Sequence, residues 1–306
     1  MNGLILKYIS KFFVQQWILG VARSDINSII RNKIFDPHIS WREVKSADKF
    51  QADPFLYKAN EGEYILFFED FSYTTGYGKI AAAIFNEDLD ITESKILLDT
   101  KSHLSYPFIY SENGKVYLLP EASSSGKLTC YEYDVKKKSL CFLKDLINLP
   151  LLDSTIIKHN DKYWLFATIN GHHADSELHI YYSDSLLGEY KAHRGNPVRT
   201  GLKGSRPAGN IIETDGKLFR PAQSSMFTYG DSIIINKIKV LSESEYSEEF
   251  YMNISINRKN KCNRGLHNLH TINCVGNFLV VDGTRWRFSP GIKLRQFSQK
   301  YLLRKS

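Results

Sequence analysis

One hairpin, spoken five times, limits what this chain can fold into. Gln51-Ala52-Asp53-Pro54-Phe55-Leu56-Tyr57 is an apolar run opened by Asp-Pro. A turn at Asn60-Glu61-Gly62 leads into the aromatic run Tyr64-Ile65-Leu66-Phe67-Phe68, closed by Glu69. Ser105-Tyr106-Pro107-Phe108 repeats the pattern through Asn113-Gly114 to Leu119-Pro120-Glu121. Leu152-Asp153-Ser154-Thr155 repeats it through Asn160-Asp161 to Phe166-Ala167-Thr168, and Ser205-Arg206-Pro207-Ala208 through Asp215-Gly216 to Pro221-Ala222-Gln223. A weaker fifth copy runs from His267 and His270 through Gly276 to Val281-Asp282-Gly283.

Counted at Asp53, Tyr106, Asp153, Arg206 and His267, the copies are 53, 47, 53 and 61 residues apart. Short strands repeating every ~40–50 residues are the mark of a propeller blade. The intervals hold further strand-like runs, such as Lys79–Phe85 and Ser94–Leu98. The expectation is an all-β chain: a five-bladed β-propeller over 17–290, with short N- and C-terminal extensions at 1–16 and 291–306. The competing reading is a β-sandwich with accidentally similar hairpins. In the propeller, Trp17-Ile18-Leu19-Gly20-Val21 reads as a terminal strand that completes the last blade, and 24–33 as a loop or short helix.

Blade geometry then gathers residues that are far apart in sequence. The innermost strand and the next run antiparallel, so the start of one and the end of the other share a face. The openers Asp53, Tyr106, Asp153, Arg206 and His267 or His270 and the closers Glu69, Glu121, Thr168, Gln223 and Asp282 should therefore ring one mouth. Asp53, Glu121 and Asp153 are the expected catalytic carboxyls, because glycosyl chemistry needs an acid and a base or nucleophile around one anomeric carbon. Glu69, His103, Tyr106, Arg206, Arg220, Gln223, His270 and Asp282 are expected to bind substrate. The two arginines offer rigid forks for a carboxylate or phosphate, or else pair with the acids and shape the site. Each acid also has a bland reading, Asp53 as a turn cap before Pro54 and Asp153 as an Asx-turn into Ser154-Thr155.

Other classes are disfavoured. No GxGxxG, Walker loop, GxSxG or HExxH occurs in the 306 residues, so no cofactor is expected. His267 and His270 lack a neighbouring acidic ligand in sequence, so no metal is expected. The four cysteines, at 130, 141, 262 and 274, have no CxxC pair and read as reduced thiols, although Cys130 and Cys141 could bridge adjacent strands. The net charge of +7 suggests an anionic partner, but basic and aromatic residues do not interleave as they would for nucleic acid. The amphipathic start, with Lys7 and Lys11 among apolar residues, and the basic tail Lys293–Lys305 either lie on an acidic membrane surface or are solvated or packed segments. Neither a secretion signal nor a spanning segment is read, so the expected location is cytoplasmic, with peripheral contact at the inner membrane face as the membrane variant.

Ala52-Asp53-Pro54-Phe55-Leu56, His103-Leu104-Ser105-Tyr106-Pro107-Phe108, Leu119-Pro120-Glu121, Asp153-Ser154-Thr155, Ser205-Arg206-Pro207-Ala208-Gly209, Arg220-Pro221-Ala222-Gln223 and Tyr229-Gly230 together resemble a known domain. It is the amino-terminal domain of plant glucosamine inositolphosphorylceramide transferases and their bacterial relatives, and the likeness spans about 17–285. That domain is similar to the five-bladed propellers of glycoside hydrolase family 43. The resemblance implies Asp53 as base, with Glu121 and Asp153 as acid and tuner in either order. Blade two opens with Tyr106 where an acid would stand, which argues against simple hydrolysis. The leading expectation is a glycosyltransferase of cell-surface polysaccharide or glycolipid assembly, taking a sugar donor and a glycan or lipid-linked acceptor. A family-43-like hydrolase and a non-catalytic glycan-binding propeller are the alternatives.

Overall fold

A computed structural model of the chain describes residues 12–88 and 91–295. The chain enters on β1 (Phe13–Arg23), turns through helix α1 (Ile26–Asn32) and returns beside β1 as β2 (Ser40–Trp41). Blade one is then β3 (Lys49–Asn60), β4 (Glu63–Ser72), β5 (Tyr77–Asn86) and β6 (Ile91–Leu98). Blade two is β7 (Ser105–Glu112), β8 (Lys115–Glu121), β9 (Leu128–Asp134) and β10 (Ser139–Ile147). Blade three is β11 (Leu151–His159), β12 (Lys162–Ile169), β13 (Glu177–Ser183) and β14 (Lys191–Ala192), with β15 (Arg199–Thr200) also on β13. The inner strand of blade four is split into β16 (Lys203–Pro207) and β17 (Ile212–Thr214), both on β18 (Lys217–Ser224), followed by β19 (Ser232–Leu241) and β20 (Tyr246–Ile254). The split falls at Pro207 and Gly209, which suits residues that cannot donate to, or that weaken, a ladder.

Blade five joins both parts of the chain. β21 (Ile272–Val275) and β22 (Phe278–Phe288) come last in sequence, and the sheet is completed by β1 and β2. β1 pairs with β22 in unbroken register from Phe13↔Phe288 to Arg23↔Phe278. The closing strand thus begins at Phe13, four residues before the expected Trp17. α1 is the short helix expected near 24–33. It is capped by Asp25, whose carboxylate accepts from the backbone N–H groups of Asn27 and Ser28, and it buries Ile26, Ile29 and Ile30. The hairpins expected from the repeat are the two innermost strands of each blade, with the inner strand split in blade four and with β21 and β22 forming the hairpin of blade five. The amphipathic stretch before residue 12 and the tail beyond 295 lie outside the described residues.

Apolar side chains fill the seams between blades. Leu19 and Val21 of β1 pack with Leu56, Leu66 and Phe68 of blade one, while Trp164 and Phe166 of blade three pack with Leu218 and Ile238 of blade four. All four cysteines are free; Cys130 is buried and Cys141 is exposed, so the bridge considered for them is absent.

A shared irregularity aims the mouth. The inner strands of blades one, two and three each break register just inside their start, between Ala52 and Phe55, Ser105 and Phe108, and Leu152 and Thr155. In each break one residue takes a positive φ: Asp53 (53°), Tyr106 (41°) and Asp153 (49°). Such bulges re-aim a side chain, and non-glycine residues at positive φ carry a conformational cost that the surroundings must offset. Carboxylates hold these bulges from the preceding blade round the ring. The Asp53 N–H donates to Asp282 Oδ2 (2.9 Å), the Tyr106 N–H to Asp53 Oδ2 (3.1 Å) and the Asp153 N–H to Glu121 Oε2 (3.3 Å).

Candidate active site

A pocket of about 180 Å³ opens at the mouth, lined by Asp53, Glu69, His103, Glu121, Asp153, Arg206 and His270 together with Trp17, Phe50 and Tyr229. Seven of the eleven residues singled out from sequence therefore meet in one place, drawn from all five blades. The four carboxyls are almost wholly buried.

Two cations organise the acids into two groups. On one side the Arg206 guanidinium grips Asp153 through Nε (2.5 Å) and Nη2 (3.3 Å). It also reaches Glu121 Oε2 at 3.6 Å and Asp175 Oδ1 at 3.1 Å. On the other side His270 is held between two acids, with Nε2 3.3 Å from Asp53 Oδ1 and Nδ1 2.7 Å from Asp282 Oδ2. Trp17 lies against the imidazole face at a ring separation of 3.9 Å. Asp53, His270 and Asp282 offer the one metal-ligand grouping among the described residues. Both imidazole nitrogens already face carboxylates, an arrangement that suits a shared proton better than a cation.

Burial and charge set these groups at different protonation levels. Desolvation, reinforced by Asp153 and only partly offset by Arg206, pushes Glu121 up to about 8. Desolvation also raises Asp53, but His270 opposes it and the carboxyl stops at about 6. Burial alone would depress His270; Asp282 and Asp53 outweigh it and carry the imidazole to about 9. Glu69 is raised well above the usual carboxylate range by burial and then by the neighbouring acids. Its Oε1 has no hydrogen-bond partner. That oxygen occupies the space beside Gly78, where a Cβ would lie 2.2 Å from it and 2.5 Å from the Leu104 carbonyl. His103 Nδ1 accepts from the Gly78 N–H at 3.0 Å, and burial followed by Arg206 lowers its basicity.

Four expected substrate contacts sit elsewhere. Arg220 is fully buried away from the pocket, donating to Glu248 (2.6 and 2.9 Å) and to the carbonyls of Gly204 and Ser205. Strand alternation turns it into the blade while Gln223, three residues on, faces the axis. Gln223 does not reach the pocket either: its amide donates to Asp153 Oδ2 (2.7 Å) and to the Pro207 carbonyl (3.0 Å). Asp282 lies behind His270 and accepts from the N–H groups of Asp53, His270 and Thr271. Tyr106 is sealed beneath the pocket, its hydroxyl 2.8 Å from Thr155 Oγ1 and accepting from the Gly209 N–H at 2.7 Å. These four residues hold the site's acids and floor rather than meeting a ligand.

With this geometry in place, likeness to known proteins can be read. A family model described as glucosamine inositolphosphorylceramide transferase 1, N-terminal, matches residues 30–275. The chain belongs to this family. It is 37% identical over 219 residues to glucosamine inositolphosphorylceramide transferase 1 of Arabidopsis thaliana, covering 69% of this chain and 28% of that protein. It is 35% identical over 205 residues to the protein of the same name from Oryza sativa subsp. japonica. The chain thus spans little more than a quarter of the length of these relatives. Among solved structures, a family 117 glycoside hydrolase from Zobellia galactanivorans aligns over 92% of both chains with a TM-score of 0.56 at 12% identity. A β-xylosidase aligns over 70% of this chain and 80% of its own with a TM-score of 0.52 at 14% identity. These two likenesses bear on the fold, which is the five-bladed propeller expected from the repeat.

The mouth also contains residues outside the expected site members. Trp17 was read only as part of a closing strand, and closure is what brings it to the mouth. Tyr229 stands in the quoted Tyr229-Gly230 pair; its ring lies 5.4 Å from the Arg206 guanidinium carbon. Asp175, on the loop between β12 and β13, carries no local signal.

Proposed function

We propose that the chain transfers a glycosyl unit in the mouth pocket, with a lipid-linked or glycan hydroxyl as acceptor. The observation that carries this reading is that Asp53 and Glu121, both buried, line one pocket, where burial and neighbouring charge raise Asp53 to about 6 and Glu121 to about 8. Around neutral pH this leaves Asp53 ionised, able to take a proton from an incoming hydroxyl, and Glu121 protonated, able to give one to the departing glycosidic oxygen. Asp153 is the tuner, since Arg206 and Gln223 hold it and its charge helps to keep Glu121 protonated. Glu69, with a buried oxygen lacking a partner, is placed to bind a sugar hydroxyl. Arg206 and His270 are both committed to acids of the site. A charged leaving group would therefore sit outside the pocket, and a neutral sugar ring inside it.

Transfer is preferred to hydrolysis because the relatives are named as transferases. Hydrolysis is the second reading, favoured by the propeller's likeness to glycoside hydrolases. Aryl glycosides, and separately activated donors with lipid-linked acceptors, discriminate between them. Transfer that falls ~10²–10⁴-fold in Asp53→Asn and Glu121→Gln supports the proposal. Release of the aryl alcohol with no transfer supports hydrolysis. Glycan binding without turnover, unchanged by either substitution, would leave a binding propeller.

A further inference from the structure

The mouth is surrounded on one side by apolar side chains that a soluble surface would not keep. Phe227 is 91% exposed, Phe288 60% and Trp286 53%, with Met226, Leu202 and Phe12 also exposed. All six project from strand ends on the mouth side of blades four and five. Trp286 stands four residues beyond Asp282 on β22, about 13 Å further out at roughly 3.3 Å per residue.

They are also contiguous. The Ser225 N–H donates to the Leu202 carbonyl at 2.9 Å, joining Leu202 to the Met226-Phe227 loop. Phe227 and Trp286 face one cleft of about 510 Å³. Phe12 and Phe13 meet Phe288 at ring separations of 6.4 and 5.5 Å. The result is a crescent, and exposed apolar patches of this kind mark interaction sites.

Its charge identifies the occupant. Arg285 and Arg287 alternate with Trp286 and Phe288 along β22, so they stand at the same rim but on the opposite face of the strand, donating to the neutral oxygens of Gln16, Val44 and Lys45. Neither arginine has a carboxylate partner among the described residues. Arg258 lies in the cleft and Lys203 follows Leu202. Asp231, the acid in that cleft, accepts from the Phe227 N–H and the Ser232 hydroxyl, which fixes the loop. The last described residues at either end are Phe12, beside Phe288, and Arg295, beside Thr74, and the sequence outside them, residues 1–11 and 296–306, carries five cations and no acid. Apolar tips bordered by Arg258 and Lys203, at a rim whose β22 arginines also lack a carboxylate partner, match the interface of an anionic bilayer, where aromatic rings sit at headgroup depth.

We propose that this crescent seats the propeller mouth-down on an anionic membrane surface, presenting the pocket to a lipid-borne hydroxyl. The proposal rests on the reading of the acceptor as lipid-linked, but its test contains no sugar and fails separately from that reading. The full chain would be sedimented with phosphatidylcholine vesicles, with and without phosphatidylserine, and its tryptophan fluorescence measured against brominated lipid. Trp17 and Trp164 are buried and Trp41 is half-buried, so the quenching read is the part lost in Trp286→Ser. Expected are partition onto the anionic vesicles, quenching, and at least a tenfold loss of partition in Phe227→Ser combined with Trp286→Ser. Turnover of a soluble substrate and the melting temperature should not change. Absence of partition, partition that the double substitution leaves intact, or a dimer in light scattering that the substitution dissolves would each overturn the proposal.

Discussion

At the scale of single residues, the site depends on acids kept out of water. Glu121 illustrates the consequence for stability. Its folded value, about 8, lies above that of an exposed glutamate, so between roughly pH 4 and 8 the unfolded chain releases this proton while the folded chain retains it. Stability from this residue is therefore greatest in acid and declines as pH rises through about 8. Glu121→Gln should raise the melting temperature at pH 8 by ~2–4 °C while lowering turnover ~10²–10⁴-fold, measured by calorimetry and by the transfer assay. The same pair predicts a bell-shaped rate profile, rising through about pH 6 as Asp53 ionises and falling through about pH 8 as Glu121 does. Which acids would meet was legible from spacing alone. Their separate protonation levels were not, because those depend on His270 and Arg206 arriving from other blades.

At the scale of elements, the bulges are the decisive devices. Asp53, Tyr106 and Asp153 stand at matching points of three successive hairpins, and that match was readable before any coordinates. The left-handed backbone that turns them was hidden, since none is a glycine and only the neighbouring blades hold them there. Tyr106 shows why the hydroxyl matters as well as the ring. In Tyr106→Phe the Gly209 N–H loses its acceptor in a fully buried position, which should cost ~1–3 kcal/mol. Denaturant unfolding measures that loss, and an unchanged midpoint would show that another acceptor takes over. Arg220 marks the limit of position-by-position reading. It precedes Gln223 by three residues on β18, and its role was decided by Glu248 on a distant strand.

At the scale of the molecule, five sheets close into a ring because β1 zips along β22 over eleven pairs. Leu19 and Val21 of that strand also seal the seam with blade one. A chain lacking residues 1–23 should lose its cooperative thermal transition rather than merely fray, as circular dichroism would reveal. The repeat made the ring legible, and the terminal strand was recognisable by being surplus to the five hairpins. The apolar crescent was not legible, because exposed and buried aromatics look alike until the strands have ends.

The ring's seam has a further consequence during synthesis. The imidazole that restrains Asp53 belongs to the last blade made, whereas Trp17, against which it lies, belongs to the first strand made. A nascent chain must therefore hold β1 unmatched until β22, five blades later, has been delivered. The mouth is then completed only when His270 and β22 reach β1, and a chain cut before β22 has no partly built pocket to leave behind.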